Sequence, residues 1–213
     1  MTASPFDQSR YQLRFDWGLE GLRRLAPADI VIVVDVLRFS STVSARVATG
    51  EAVPHDDAAH AVSLNGAAVA TAAADADAVV FLGCLRNAAA VARAVLAEQN
   101  RRAARTSVSV IAAGELSGRG AEAVLRFSVE DQLGAGAVLG ALEALGLDHS
   151  SPEAAAASES FRGLRAAARH LLTASGSGQE LLERDRRAEV LAAADHDADD
   201  AVPVLRGGVW TAY

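Results

Sequence analysis

The chain has 213 residues, 51% of them hydrophobic but only 5% aromatic, enough for one core built largely from alanine, valine and leucine. Acidic residues outnumber basic ones by 27 to 20, and no basic stripe with interleaved aromatics occurs, which argues against nucleic-acid binding. A lone cysteine, Cys84, precludes an internal disulfide; no run reaches the roughly 18 apolar residues of a membrane span, and Met1 to Arg10 lacks a signal-peptide pattern, so the expectation is a cytoplasmic protein without membrane partners.

In chain order, Tyr11 to Phe15 reads as a short strand, and Trp17 to Leu25 as a helix capped by Asp16 and stopped by Pro27. Ile30 to Val34 is an unbroken β-branched run, the pattern of a strand covered on both faces. Thr42 to Ala48 is predicted as a helix ending at Gly50, with Ser40, Ser41 and Thr42 as candidate caps, and Glu51 to Val53 as a short strand closed by Pro54. Ser63 to Gly66 reads as a polar turn before an alanine-rich helix. Ala78 to Leu82 and Ser107 to Ala112 are further buried strands, the first leading through Gly83 to Asn87 into a helix that reaches about Gln99.

Three apolar strands running into polar or glycine-bearing turns are the βα punctuation of an open α/β sheet. Beyond them, Asp131 to Leu145, Pro152 to Thr173 and Gln179 to Ala194 read as helices, the second started by Ser151 with Pro152 at its first position. No repeat or linker divides the chain, so residues 1–213 are expected to form one domain.

Ligands in open α/β sheets gather at the carboxyl ends of the strands. Asp35 stands at such an end, three residues before Arg38. A carboxylate there can ligate Mg²⁺ or attack phosphorus, and a guanidinium can grip phosphate or sulfonate oxygens in bidentate fashion. The plainer reading of Asp35 is a helix cap, and that of Arg38 a surface ion pair. Glu130 and Asp131 form a second acidic step before a helix, where the helix dipole alone would favour them. Asn65, Gly66 and Asn87 could each present an amide or a backbone N–H to an anion, or simply serve as turn and cap.

Cys84 sits at a strand end with no histidine beside it in sequence, and reads more simply as a small buried hydrophobe. The five histidines lack zinc-site spacing. Gly134 to Gly140 resembles a dinucleotide loop but follows no buried strand; helix packing is the better reading of its glycines.

Taken together, Val34-Asp35-Val36-Leu37-Arg38-Phe39-Ser40-Ser41-Thr42, Asn65-Gly66, Gly83-Cys84-Leu85-Arg86-Asn87-Ala88, Ala112-Ala113-Gly114-Glu115 and Ser128-Val129-Glu130-Asp131 with Gly134-Ala135-Gly136 form an ordered set. In this set the chain resembles the 2-phosphosulfolactate phosphatases, the ComB-like acid phosphatases. The resemblance implies a three-layer α/β/α sandwich with a mixed, largely parallel sheet. It also implies Mg²⁺-dependent hydrolysis of (2R)-2-phospho-3-sulfolactate to 3-sulfolactate and phosphate, a step toward coenzyme M where that is made.

Carried onto this chain, it makes Asp35 and Arg38 catalytic, assigns Ser40, Ser41, Asn65, Gly66 and Asn87 to the substrate, and offers Asp35, Glu130 and Asp131 for the metal, which Asp35 and one of the other two would hold. The partner is then a small anionic phosphate ester, and a homo-oligomer is compatible with this reading. One departure stands out. Family members carry a longer segment before the Asn-Gly element, whereas here only His55 to Leu64 separates Pro54 from Asn65. That departure motivates one alternative, an impaired member that binds a phosphorylated or sulfonated metabolite; a second is a phosphatase for another small phosphate monoester, since a family resemblance gives reaction type more securely than substrate.

Overall fold

The computed structural model describes residues 4–56, 64–117 and 123–213. Its centre is a seven-stranded sheet of order β1-β5-β2-β4-β8-β9-β3. The strands are β1 (Leu13–Trp17), β2 (Ile30–Val34), β3 (Val53–Pro54), β4 (Val79–Gly83), β5 (Val108–Ala112), β8 (Pro203–Arg206) and β9 (Val209–Ala212). The β1, β5, β2 and β4 strands run parallel, while β8, β9 and β3 complete the sheet antiparallel. Two further strands, β6 (Glu115–Ser117) and β7 (Val124–Arg126), form a separate antiparallel pair.

Alternation along the buried strands sorts the core into two layers. Ile30, Ile32 and Val34 of β2 face one layer, and Val31 and Val33 face the other. On the second face lie α1 (Gly18–Arg24), α2 (Phe39–Ala48) and α3 (Leu64–Asp75), through side chains such as Leu22, Phe39, Val43 and Val69. The first face is covered by α4 (Ala88–Arg102), α5 (Val129–Ala144), α6 (Pro152–Leu164), α7 (Ala168–Ala174), α8 (Gly176–Glu183) and α9 (Arg187–Ala193). The result is the expected three-layer α/β/α sandwich. Among the described residues no helix is long and apolar enough to cross a membrane.

Several expected boundaries move, each for a physical reason. Ser40, Ser41 and Thr42 lie inside α2 rather than capping it, because Asp35 Oδ1 already accepts the Phe39 N–H at 3.2 Å. Asn65 and Gly66 belong to the first turn of α3, not to a free turn, and Glu130 and Asp131 to the first turn of α5. The helix expected from Pro152 to Thr173 breaks at Leu164 into a 3₁₀ turn before α7 resumes. The one expected from Gln179 to Ala194 divides at Asp185, whose φ of 59° cannot continue a helix. Asp16 does not cap α1; its carboxylate accepts the Trp17 N–H and pairs with Arg24. Ser151 caps α6 as expected, accepting the Ala154 N–H. The glycines of the 134–140 run sit within α5, where a Cβ on Gly136 would collide with the carbonyl oxygen of Ala157.

The site is positioned by the neighbours of β2. After β2 the chain enters α2 on one face of the sheet, whereas after β4 and β5 it proceeds to α4 and α5 on the other. A crevice at the strands' carboxyl ends therefore opens on both sides of β2, as at the topological switch points of α/β folds.

Candidate active site

The crevice between β2 and β5 collects carboxylates. Asp35 is 5% exposed, and its backbone is locked by Ser40, whose Oγ accepts the Asp35 N–H at 3.0 Å and donates to the Val33 carbonyl at 3.1 Å. The Asp35 side chain lies against Gly66. A Cβ there would stand 2.9 Å from Asp35 Oδ2 and 3.0 Å from the Phe39 ring, so the glycine makes room for the carboxylate.

From α5, Asp131 reaches across: Oδ1 accepts the Val36 N–H at 2.7 Å and Oδ2 the Gly114 N–H at 2.9 Å. Asn65 holds the same glycine through a 3.0 Å bond from Nδ2 to its carbonyl oxygen. Gly114, with φ at +69°, thus joins two candidate residues in a conformation suited to glycine. Burial first, then the charges of Asp35 and Glu130, push Asp131 well above the usual carboxylate range, against the pull of its two N–H donors. Glu130 is buried beside it and accepts a 2.6 Å hydrogen bond from Ser177, whose hydroxyl also lies 2.7 Å from Glu115.

Arg38 turns away from this crevice. It lines a cavity on the β4 side of β2 together with Ser41 and Arg86, and donates to Glu189 at 3.0 Å. Burial pushes Glu189 up, but hydrogen bonds from Arg38 and Arg186 outweigh it and hold the carboxylate below its ordinary range. Ser40 and Asn87 belong to the scaffold beneath. Both are fully buried, and the Asn87 amide accepts the Cys84 N–H and donates to Leu82, Ser44 and Ala201. Cys84 is buried too, and burial raises its thiol above the usual range, which removes thiolate chemistry at neutral pH.

The structure therefore brings Asp35, Asn65, Gly66 and Asp131 together, turns the expected metal ligand Glu130 toward Ser177 and Glu115, and places Arg38 and Ser41 in the adjoining cavity. Sequence reasoning missed Ser177, Arg186 and Glu189. The two charged residues lie in a run that reads as a solvated helix face, and Ser177 in a stretch that reads as a chain break.

Residues 52–208 match the family model described as 2-phosphosulpholactate phosphatase. The chain belongs to the 2-phosphosulpholactate phosphatase family. Its members are phosphoric monoester hydrolases, and a small phosphate ester is the substrate class that goes with them. No curated protein matches the chain. The part matched to the 2-phosphosulpholactate phosphatase model takes in Asn65, Gly66, Asn87, Glu130 and Asp131, while Asp35 and Arg38 precede it. Most of the shortened segment, residues 57–63, lies outside the described residues.

The donor chemistry fits a hard divalent cation. Asp35 and Asp131 offer carboxylate oxygens within electrostatic range of one another, and the burial and repulsion that together raise Asp131 are what a cation would offset. Among the described residues no three His, Cys, Asp or Glu side chains converge as a metal shell. A cation here would complete its shell with water and phosphate oxygens, as Mg²⁺ commonly does.

Proposed function

We propose that the protein is a Mg²⁺-dependent phosphatase that hydrolyses (2R)-2-phospho-3-sulfolactate to 3-sulfolactate and inorganic phosphate. The observation that supports this reading is the meeting of Asp35 and Asp131 at the carboxyl end of β2, in a chain of this family. Asp35 and Asp131 would hold the cation, with Glu130 adding negative charge behind them. When bound, the cation supplies charge neutralisation for the phosphoryl oxygens, the main requirement of phosphoryl transfer.

The chain's own groups orient the ester. Asp35 and Asp131 fix the turn that follows β2, and Arg38, three residues on, receives anionic oxygens of the substrate. Water is the nucleophile in this reading, because Asp35 is assigned to the cation, with its Oδ1 also steadied by the Phe39 N–H. The water oxygen bonds to phosphorus, the bond between phosphorus and the oxygen on carbon 2 breaks, and that leaving oxygen takes up the proton that the attacking water gives up.

Phosphate release from 2-phosphosulfolactate and several other small phosphate monoesters, with Mg²⁺ and with EDTA, tests the proposal. Turnover that needs metal and disappears in Asp35→Asn is the expected result. Hydrolysis of a different monoester in preference would keep the reaction and change the substrate. Absence of turnover from folded protein on every ester would overturn it in favour of a binding protein, the reading that the short His55–Leu64 segment favours.

A further inference from the structure

On the β4 side of β2 lies a cavity of about 470 Å³, walled by α2, the turn after β4 and α9. That volume is in the range of small-molecule sites. Its charged lining is Arg38, Arg46, Arg86, Arg186 and a single carboxylate, Glu189. Arg46 is paired with Glu51. The other three guanidiniums are balanced far less completely. Glu189 serves two of them at once, accepting from Arg38 at 3.0 Å and from Arg186 at 2.7 Å. Arg86 donates to the Ala192 carbonyl at 2.8 Å and stands 4.0 Å from Asp195, which is itself engaged by Arg169.

Three guanidiniums against one lining carboxylate leave an excess of two positive charges. They stand in a protein whose net charge is −7. The side chains of Arg38 and Arg86 are only 15% and 21% exposed, so water does little to dilute that excess. A network serving only stability would balance its charges, since partly buried like charges repel and lose hydration. Planar guanidinium forks match the oxygens of carboxylates and sulfonates in bidentate geometry.

We propose that this cavity binds a small organic dianion and that Glu189 is the built-in counter-ion the ligand displaces from Arg38 and Arg186. This rests on the proposed function for the ligand's identity: of the three anionic groups on 2-phosphosulfolactate, the carboxylate and sulfonate do not react, and together they make the dianion. Arg38 is three residues from Asp35, a chain length that spans at most about 11 Å. One turn therefore serves the carboxylate crevice and the arginine cavity, and a three-carbon substrate would have its reacting end on one side and its recognition groups on the other. Arg86, Arg186 and Glu189 are then specificity residues.

Titration calorimetry with 3-sulfolactate, which carries both recognition groups and no phosphate, tests this without turnover. Arg186→Gln, on an exposed side chain whose loss leaves the core intact, is expected to weaken binding about tenfold, the effect of losing one charge-assisted contact. Glu189→Gln is expected to tighten it several-fold, because a competing carboxylate is removed. Arg23→Gln, the same charge change on distant α1, should leave the affinity unchanged and thereby separates a local contact from the general field.

Wild-type protein that does not bind 3-sulfolactate, an unaltered affinity in Arg186→Gln, or weaker binding in Glu189→Gln would each overturn the proposal. The phosphatase reading fails separately: the expected binding pattern without turnover on any ester would keep the dianion cavity and remove the catalytic assignment. Turnover with an unresponsive cavity would do the reverse.

Discussion

Asp131 accepts the backbone N–H of Val36 at 2.7 Å, so a side chain from the first turn of α5 holds the turn that leaves β2. Its other oxygen holds the Gly114 N–H at 2.9 Å. Asp131→Ala would strand two buried donors, at about 1–3 kcal/mol each. Asp131→Asn keeps one acceptor oxygen and removes the repulsion from Asp35 and Glu130. The alanine variant should therefore lose about 2–5 kcal/mol of stability and the asparagine variant less than half of that, measured by urea unfolding. Equal losses would show that the two hydrogen bonds are not what secures this turn.

His55 gives the fold a dependence on mildly acidic pH. Its Nδ1 accepts the Trp210 indole N–H at 3.1 Å, which leaves the proton on Nε2, 2.9 Å from the Thr71 hydroxyl. Burial lowers the ring's pKa, with Asp56 opposing. The folded state then binds fewer protons than the unfolded one. Stability contributed by this group is full above the unfolded value of about 6.5 and is lost as pH falls through and below it. Melting temperatures between neutral pH and about 5 should drop less steeply in His55→Gln than in the wild type, and parallel curves would refute the assignment.

A second pH window belongs to Glu98. The hydrogen bond from Arg101 leads in lowering its pKa to about 2, with Arg102 helping against the cost of burial. A depressed carboxylate stabilises the fold above its unfolded value of about 4.3 and loses that contribution as pH falls toward about 2. The full shift corresponds to about 3 kcal/mol; because the Arg101 side chain is 67% exposed, solvent screening reduces the expected effect to about 1–2 kcal/mol. Glu98→Gln should lose that stability at neutral pH and converge with the wild type near pH 2 in denaturant titrations.

Two glycines make a matched pair. Gly136 packs its Cα against the backbone of Ala157 where α5 crosses α6, and Gly163 in the last turn of α6 has open space around it. Gly136→Ala should cost about 1–3 kcal/mol through overpacking, and Gly163→Ala should gain about 0.5–1 kcal/mol through helix propensity. Thermal denaturation of the two variants reads both signs at once.

The strands with five contiguous apolar residues, β2 above all, were legible because burial on both faces imposes that pattern on a parallel sheet. Helix ends were less legible because tertiary groups set them. The start of α2 depends on the Asp35 carboxylate, not on the hydroxyls of Ser40 to Thr42. The β6–β7 pair was missed since all three β7 residues are exposed and so carry no alternation. Within the site, Asp35 and Asp131 stand out as carboxylates at a strand end and a helix start. Arg186 and Glu189 are indistinguishable in sequence from any charged surface of a helix, and only the placement of α9 across a cavity from α2 brings them to Arg38.

Among the described residues the sheet's edge strand, β3, pairs only with β9, and His55 just beyond it meets Trp210 across 155 positions of chain. Synthesis proceeds from the N-terminus, so Val53, His55 and the Phe39 ring that abuts Trp210 must wait on the ribosome until nearly the whole described chain has emerged. The parallel centre can assemble early, but this edge closes only at the end. A stalled or prematurely terminated chain would present an open sheet border to its neighbours, and the cell's chaperones are the expected guardians of that interval.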